Sequence, residues 1–254
     1  MNLPVFVISL ARAPERRAGI VQRLNAAGVS HELVDAVDGL TLDLNALGDR
    51  PVNPAMTQGQ IACFLSHYNL WRRIAAEQIP AAVILEDDAV WEEDFWEVAA
   101  KLSALEWQWD FINCAYPRPI KAETVLCQLS DKRRLVRGKR PSWFMISYAV
   151  SLSGAGKLLK HCGPIRAGID EQVRQYWKYG LDFYQIDPPM GWQSGADSLL
   201  GSPHDMRANK ILKDQAAGER LMRLYRKMRF AIYHRMRKPK RKPKRKPKRK
   251  PQRQ

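Results

Sequence analysis

Cysteine is scarce and scattered in this sequence. Its four thiols, Cys63, Cys114, Cys127 and Cys162, show no CxxC spacing, which argues against a zinc site or a disulfide framework and predicts buried, reduced side chains. Long apolar runs are missing too. None reaches 18 residues, so no membrane-spanning helix is predicted. The opening Met1-Asn2-Leu3-Pro4 lacks a basic stretch followed by a long apolar one, and the expected location is the cytosol. The one GxGK, Gly154-Ala155-Gly156-Lys157, has neither the spacing nor the upstream strand and turn of a Walker loop, which excludes an ATPase of that kind. Acid is absent from residues 235–254, which hold 13 Lys and Arg. The formal net charge of +16 therefore belongs to an appendage, because residues 1–216 carry 24 basic against 25 acidic side chains. At 254 residues and 45% hydrophobic content, the chain can bury a sizeable core.

What is present is organised around Ala81–Val90. Ala81-Ala82-Val83-Ile84-Leu85 follows Pro80 and reads as a short strand buried on both faces, since such strands show continuous apolar runs and not alternation. Glu86, Asp87 and Asp88 come directly after it. Carboxylates bunched at the C-terminal end of a strand repel one another, and that end of an open α/β sheet is where ligands bind. A divalent cation relieves the repulsion, and these are the hard oxygen ligands that Mg²⁺ or Mn²⁺ prefers. An acid triplet on a solvated turn is the competing reading.

A second apolar strand, Pro4–Leu10, opens the chain. Pro14 and Glu15 suit a first helical turn, and Ile20, Val21, Leu24 and Ala27 recur at helical spacing until Gly28. His31-Glu32-Leu33-Val34 completes a βαβ unit of nucleotide-binding type. Arg12, Arg16 and Arg17 either meet a diphosphate or form a solvated helix face. Asp35 and Asp38 either touch a base or ribose or belong to an Asp-Gly turn. Thr57 and Gln60 fit a capping box opening a helix to Glu77, on whose broad apolar face His67 is either a packing residue or functional.

Asp94 is placed to cap a further helix, and Trp109–Cys114 and Met145–Val150 read as strands. Between them Lys132–Arg140 is a basic loop, either a solvated hairpin or a mobile lid over phosphates. Asp170, with Glu171 beside it, is either a helix cap or a carboxylate aimed into the cleft. Asp182–Asp187 reads as a strand ended by Pro188-Pro189, and Gly191–Ser198 as a loop in which Trp192 either stacks on a sugar or joins the core.

In this order the motifs resemble glycosyltransferase family 25, the group that holds bacterial lipooligosaccharide galactosyltransferases and collagen galactosyltransferases. The resembling pieces are Val5–Leu10 with Pro14-Glu15-Arg16-Arg17, Asp35–Gly39, Gly59–His67, Ile84–Asp88, and Tyr148–Ser151 with Gly154–Leu159. The resemblance implies a GT-A fold and inverting transfer from a UDP-sugar, usually UDP-galactose. It implies an Mn²⁺ or Mg²⁺ ion held by the acidic triplet, with Glu86 and Asp88 as metal ligands and His67, Glu86 and Asp87 beside the donor. The residue reading above adds Arg12, Arg16, Asp35 and Asp38 as expected donor contacts. Inversion calls for a carboxylate base, assigned to Asp170 with Glu171 as alternate. Gly168 stands where family members often carry a proline two residues before that acid.

From Gly218 the character changes. Leu221, Leu224, Tyr225, Met228 and Ile232 recur at helical spacing among arginines, the pattern of a helix lying on an anionic membrane. The Lys-Pro-Lys-Arg repeat after Lys238 cannot form a helix or core. The expected organisation is a catalytic domain over residues 1–216, an amphipathic helix over 217–237 and a disordered tail over 238–254. Nucleic acid attracts the same charges, but the tail has no interleaved aromatics for base stacking. The leading expectation is a metal-dependent sugar transferase acting on a lipid-linked or oligosaccharide acceptor at the inner membrane face. The alternatives are a catalytically inactive α/β scaffold that binds polyanions through its tail, and a nucleotidyl or phosphoryl enzyme using two metals.

Overall fold

The computed structural model describes residues 3–115, 122–138, 144–194, 228 and 231–233. The chain divides into Met1–Ile211 and Leu212–Gln254. In the second unit Met228 and residues 231–233 are helical, with Met228 and Ile232 exposed. The rest of the expected amphipathic helix and the repeat tail lie outside the described residues.

The first unit opens as the apolar spacing predicts. β1 (Val5–Ser9) is buried throughout, α1 (Pro14–Ala26) returns the chain with Ile20 and Leu24 turned inward, and β2 (Glu32–Asp35) pairs parallel to β1. Gly28, at φ +66, makes the turn out of α1, a conformation that favours glycine. α2 (Gln58–Ala76) starts on the predicted box, the Thr57 hydroxyl accepting from the Gln60 N–H while the Gln60 amide oxygen accepts from the Thr57 N–H. It leads into β3 (Ala81–Glu86), which pairs parallel to the other side of β1.

The remaining elements are β4 (Ala89–Trp91), α3 (Phe95–Leu102), β5 (Phe111–Asn113), β6 (Ala122–Gln128), β7 (Arg134–Gly138), β8 (Ser147–Ser151), α4 (Leu152–His161), α5 (Ile169–Val173), α6 (Tyr176–Tyr179), β9 (Phe183–Asp187) and β10 (Gly191–Gln193). The large sheet is mixed, in the order β2-β1-β3-β8-β5-β9-β7-β6, and β10 and β4 form a small antiparallel ribbon. β8 runs antiparallel between β3 and β5.

Alternate residues of the strands serve two cores. Val5, Val7, Val83 and Leu85 pack with Ile20 and Leu24 of α1 and Phe95, Val98 and Leu102 of α3. On the other face Tyr148, Phe111, Phe183 and Tyr176 stack in sequence at 4.7–5.1 Å between ring centroids, beneath Trp71 of α2.

Three local expectations change. Within Lys132–Arg140 the described residues 132–138 are not a mobile loop: Arg134–Gly138 is a sheet strand between β6 and β9, forming the second arm of a hairpin with β6, while residues 139–140 lie outside the described residues. Two of its cations are paired: Arg133 is buried in a bidentate pair with Asp94, and Arg134 meets Asp187. That pairing also takes Asp94 from the capping role, since its carboxylate accepts from Arg133 and not from the α3 backbone. Gly191–Gln193 is likewise strand and not loop, and Trp192 is 45% exposed, outside the core.

α4 meets the sheet through Gly154. A Cβ there would lie 2.0 Å from the backbone oxygen of Asp110, which cannot give way as a flexible side chain would. Gly154→Ala should therefore cost about 1–3 kcal/mol of overpacking, read as a fall in Tm of roughly 2–4 °C per kcal/mol. An unchanged melting curve would show that α4 can slide.

Candidate functional site

β1 has parallel neighbours on both sides, β2 reached through α1 and β3 reached through α2, so the strand order reverses at β1. Ligands of open α/β sheets bind in the crevice beyond the carboxyl ends at such a switch point. A cavity of about 310 Å³ lies there. Its walls are the ends of β1 and β3, the segment after β2, and the first turns of α2. Two of those walls touch at glycines: a Cβ on Gly39 would lie 2.9 Å from the Cα and N of Gly59. The Val37 N–H also donates to the Ser66 hydroxyl at 2.9 Å, fastening the same loop to α2.

The three acids face this cavity, each held differently. Asp87 accepts from the Ser9 hydroxyl at 2.7 Å and from Arg16. Arg16 also reaches Asp88 at 2.9 Å, so one guanidinium bridges the two buried carboxylates. Gln193, from the ribbon, donates to the same Asp88 oxygen at 3.0 Å, while Asp88 Oδ1 is buried with no hydrogen-bond partner. Burial and then the charge of Glu86 push the Asp88 carboxyl above the usual aspartate range, against the pull of Gln193 and Arg16.

Glu86 accepts from His67 Nε2 at 3.1 Å. The tautomer follows from the carboxylate in front of it. An ionised Glu86 can only accept, so Nε2 carries the ring proton and donates it, and Nδ1 accepts from the Tyr148 hydroxyl at 3.0 Å. Trp71 Nε1 in turn donates to the Tyr148 oxygen at 3.1 Å. Four side chains thus form one line from the core to the cavity, and burial holds the Tyr148 hydroxyl protonated well above its ordinary range.

Of the residues picked from sequence, Arg12, Arg16, His67, Glu86, Asp87 and Asp88 converge on the cavity. Asp35 does not: its carboxylate is mostly exposed and paired with Arg17, which also donates to the Ser9 carbonyl and does not line the cavity. Asp38 is held by Arg12 at 2.6 Å and by the Leu40 N–H; the Leu40 amide first, then Arg12, lowers its pKa. Glu171 is exposed. Asp170 lies in the first turn of α5, not at its cap, which is Gly168. It is outside the cavity lining, yet burial, and further down the charge of Glu86, raises its pKa, so it stands within electrostatic reach of the triplet.

Sequence reasoning missed Ser9, Cys63, Tyr148 and Gln193. Cys63 lines the cavity one helical turn before His67, and its thiol is pushed well up by burial, then by Glu86, Asp170 and Asp88. Its spacing from His67 was the available signal.

Because the folded Asp88 pKa is raised, its ionised form costs stability. That cost is absent below the unfolded pKa, grows as pH rises, and is complete above the folded value. In metal-free buffer at neutral pH, Asp88→Asn should melt higher than the parent, by roughly 2–4 °C per kcal/mol relieved, with the gap closing in acid. A lower Tm at neutral pH would contradict the burial argument.

A mixed sheet with a ligand crevice at its switch point places the chain among Rossmann-like α/β proteins. It belongs to glycosyltransferase family 25 (LPS biosynthesis protein), whose profile matches residues 2–173. The chain is 34% identical over 170 residues to the rat protein "Probable inactive glycosyltransferase 25 family member 3", a match over 61% of this chain and 29% of that protein. It is 28% identical over 172 residues to human "Procollagen galactosyltransferase 2", 61% of this chain and 27% of that one. The match thus spans under a third of either relative. Among solved structures, the inositol-1-phosphate CTP transferase from T. maritima aligns with a TM-score of 0.36 and 16% identity, over 84% of this chain and 78% of that one.

Proposed function

We propose that this chain is an inverting glycosyltransferase of GT-A fold that moves a hexose, galactose foremost, from a UDP-sugar to a lipopolysaccharide or lipooligosaccharide core. The observation that carries this is the convergence of Glu86, Asp87 and Asp88 with Arg12 and Arg16 on one cavity at the sheet's switch point. Galactose is supported by the name of the human procollagen relative, and the lipopolysaccharide acceptor by the description of the family.

The donor set fits Mn²⁺ or Mg²⁺. Glu86 and Asp88 offer hard oxygens, and Asp88 Oδ1 is a buried acceptor still lacking a partner. An ion held there would stabilise the charge left on the departing diphosphate. The chain's own groups do the rest. Arg16 bridges Asp87 and Asp88 and offsets part of their charge, and Arg12 and Arg16 are the cavity's cations placed to meet phosphate oxygens. The His67–Tyr148–Trp71 line orients the Glu86 carboxylate. Asp170 takes the acceptor hydroxyl's proton, a role suited to a carboxyl whose pKa burial has raised.

The inactive scaffold is the second reading, favoured by the word "inactive" in the names of several relatives. Hydrolysis and transfer of UDP-galactose with Mn²⁺ separate the two. The parent chain should turn over donor, Asp88→Ala should abolish turnover while keeping the fold, and Asp170→Asn should lower kcat by about 10²–10⁴-fold without weakening donor binding. No turnover of any UDP-, GDP- or CMP-sugar by the parent would favour the scaffold. An unchanged Asp170→Asn rate would remove it as base.

The appendage suits a transferase whose acceptor is lipid-linked. Residues 217–254 are proposed to hold the protein to the anionic inner leaflet, each nearby charge contributing about 1 kcal/mol. Liposome flotation should require anionic lipid and disappear when the chain ends before Gly218. Flotation that survives the truncation would assign attachment elsewhere.

A further inference from the structure

We propose that Cys63, His67 and Glu86 form a binding site for a borderline-soft divalent ion of the Zn²⁺ class, distinct in ligand chemistry from the all-oxygen pair Glu86 and Asp88. Cys63 and His67 stand at i and i+4 on α2, so both leave the same face of the helix. That face meets the end of β3, where Glu86 completes the set. The sulfur, an imidazole nitrogen and a carboxylate oxygen lie within 4.8 Å of one another.

Bonds of about 2.0–2.3 Å at a tetrahedral angle put two ligand atoms roughly 3.3–3.6 Å apart. His67 Nε2 and Glu86 Oε1, at 3.1 Å, are already close to that separation. The sulfur needs to approach by roughly 1.2 Å at most, within the range of a rotamer adjustment at a half-buried side chain. A thiolate, an imidazole and one carboxylate make the donor mixture of zinc and not of magnesium. Three protein ligands bordering an open cavity leave a fourth position free, the arrangement of zinc sites that also take a water or a substrate atom.

Two features outside the trio point the same way. Asp88 Oδ1, nine-tenths buried and unpartnered, borders the same cavity. The His67 ring also has a polar partner behind it, the Tyr148 hydroxyl at Nδ1, which can serve the second-sphere role that zinc-bound imidazoles use. On binding, the Cys63 thiol proton leaves to solvent and the ring proton moves from Nε2 to Nδ1. The Tyr148 O–H rotates its own proton away from Nδ1, and its oxygen then accepts from both His67 and Trp71. Glu86 is common to both candidate ion sites, so zinc bound here withdraws a ligand from the oxygen pair. The inference does not depend on sugar transfer, because a chain that turned over no donor would still bind the ion.

The test titrates the full-length chain with Co²⁺ alone, a spectroscopic stand-in for zinc. The parent and Asp88→Asn should both develop a thiolate-to-cobalt charge-transfer band that Zn²⁺ abolishes, and Cys63→Ser should lack it. Calorimetry should show Zn²⁺ affinity falling by at least about 10–100-fold in Cys63→Ser and in His67→Gln, with circular dichroism confirming that both stay folded. Cys63→Ala replaces the serine variant if that one does not fold. No band in the parent, or a band that survives loss of Cys63, overturns the assignment.

Discussion

Three carboxylates crowd the end of one buried strand, and much of the surrounding architecture answers their mutual repulsion. Ser9 at the end of β1 donates to Asp87, Arg16 bridges Asp87 to Asp88, Gln193 reaches Asp88 from the ribbon, and His67 donates to Glu86. These groups come from β1, α1, β10 and α2, so the site is assembled only when the sheet and both of its helical layers are in place. Even so, the set is under-compensated. One oxygen of Asp88 has no partner and its carboxyl is pushed toward the neutral form. An uncompensated acid of this kind, buried at a cavity, is a common mark of a functional site, and it is the feature on which the proposed cation binding rests.

The parts of this arrangement that sequence made legible are those encoded locally. The apolar run of β3 and the acids after it, the βαβ opening, and the Thr57–Gln60 box each occupy a few contiguous residues, and each forms as read. What escaped depends on distant partners. Arg133 and Arg134 look like solvated charge until Asp94 and Asp187 are brought to them, which turns an apparent loop into a strand of the sheet. Gln193 meets Asp88 across 105 positions of chain.

Cys63 shows a different limit. A search for cysteine pairs looks for thiols that meet other thiols, and by that measure this sequence has none. On a helix, however, a cysteine and a histidine four residues apart share a face, and the third ligand comes from the strand that follows the same helix. The spacing was visible, but the carboxylate that gives it meaning appears only once α2 lies along β3. Asp35 illustrates the converse: its Asp-Gly stretch resembles the family's, yet its side chain turns to solvent and Arg17.

Trp71 and Tyr148 would be filed as core residues on burial alone, both being fully enclosed and among the largest side chains inside the protein. Yet their polar atoms form the hydrogen-bond line behind His67, and Tyr148 stacks at 4.7 Å on Phe111 deeper in the sheet. Hydrophobic packing and cavity chemistry therefore share side chains here. A survey of natural variants that sorts positions into scaffold and reaction centre would misplace these two, because a phenylalanine at Tyr148 keeps the ring and its stacking while removing the hydroxyl that His67 and Trp71 share.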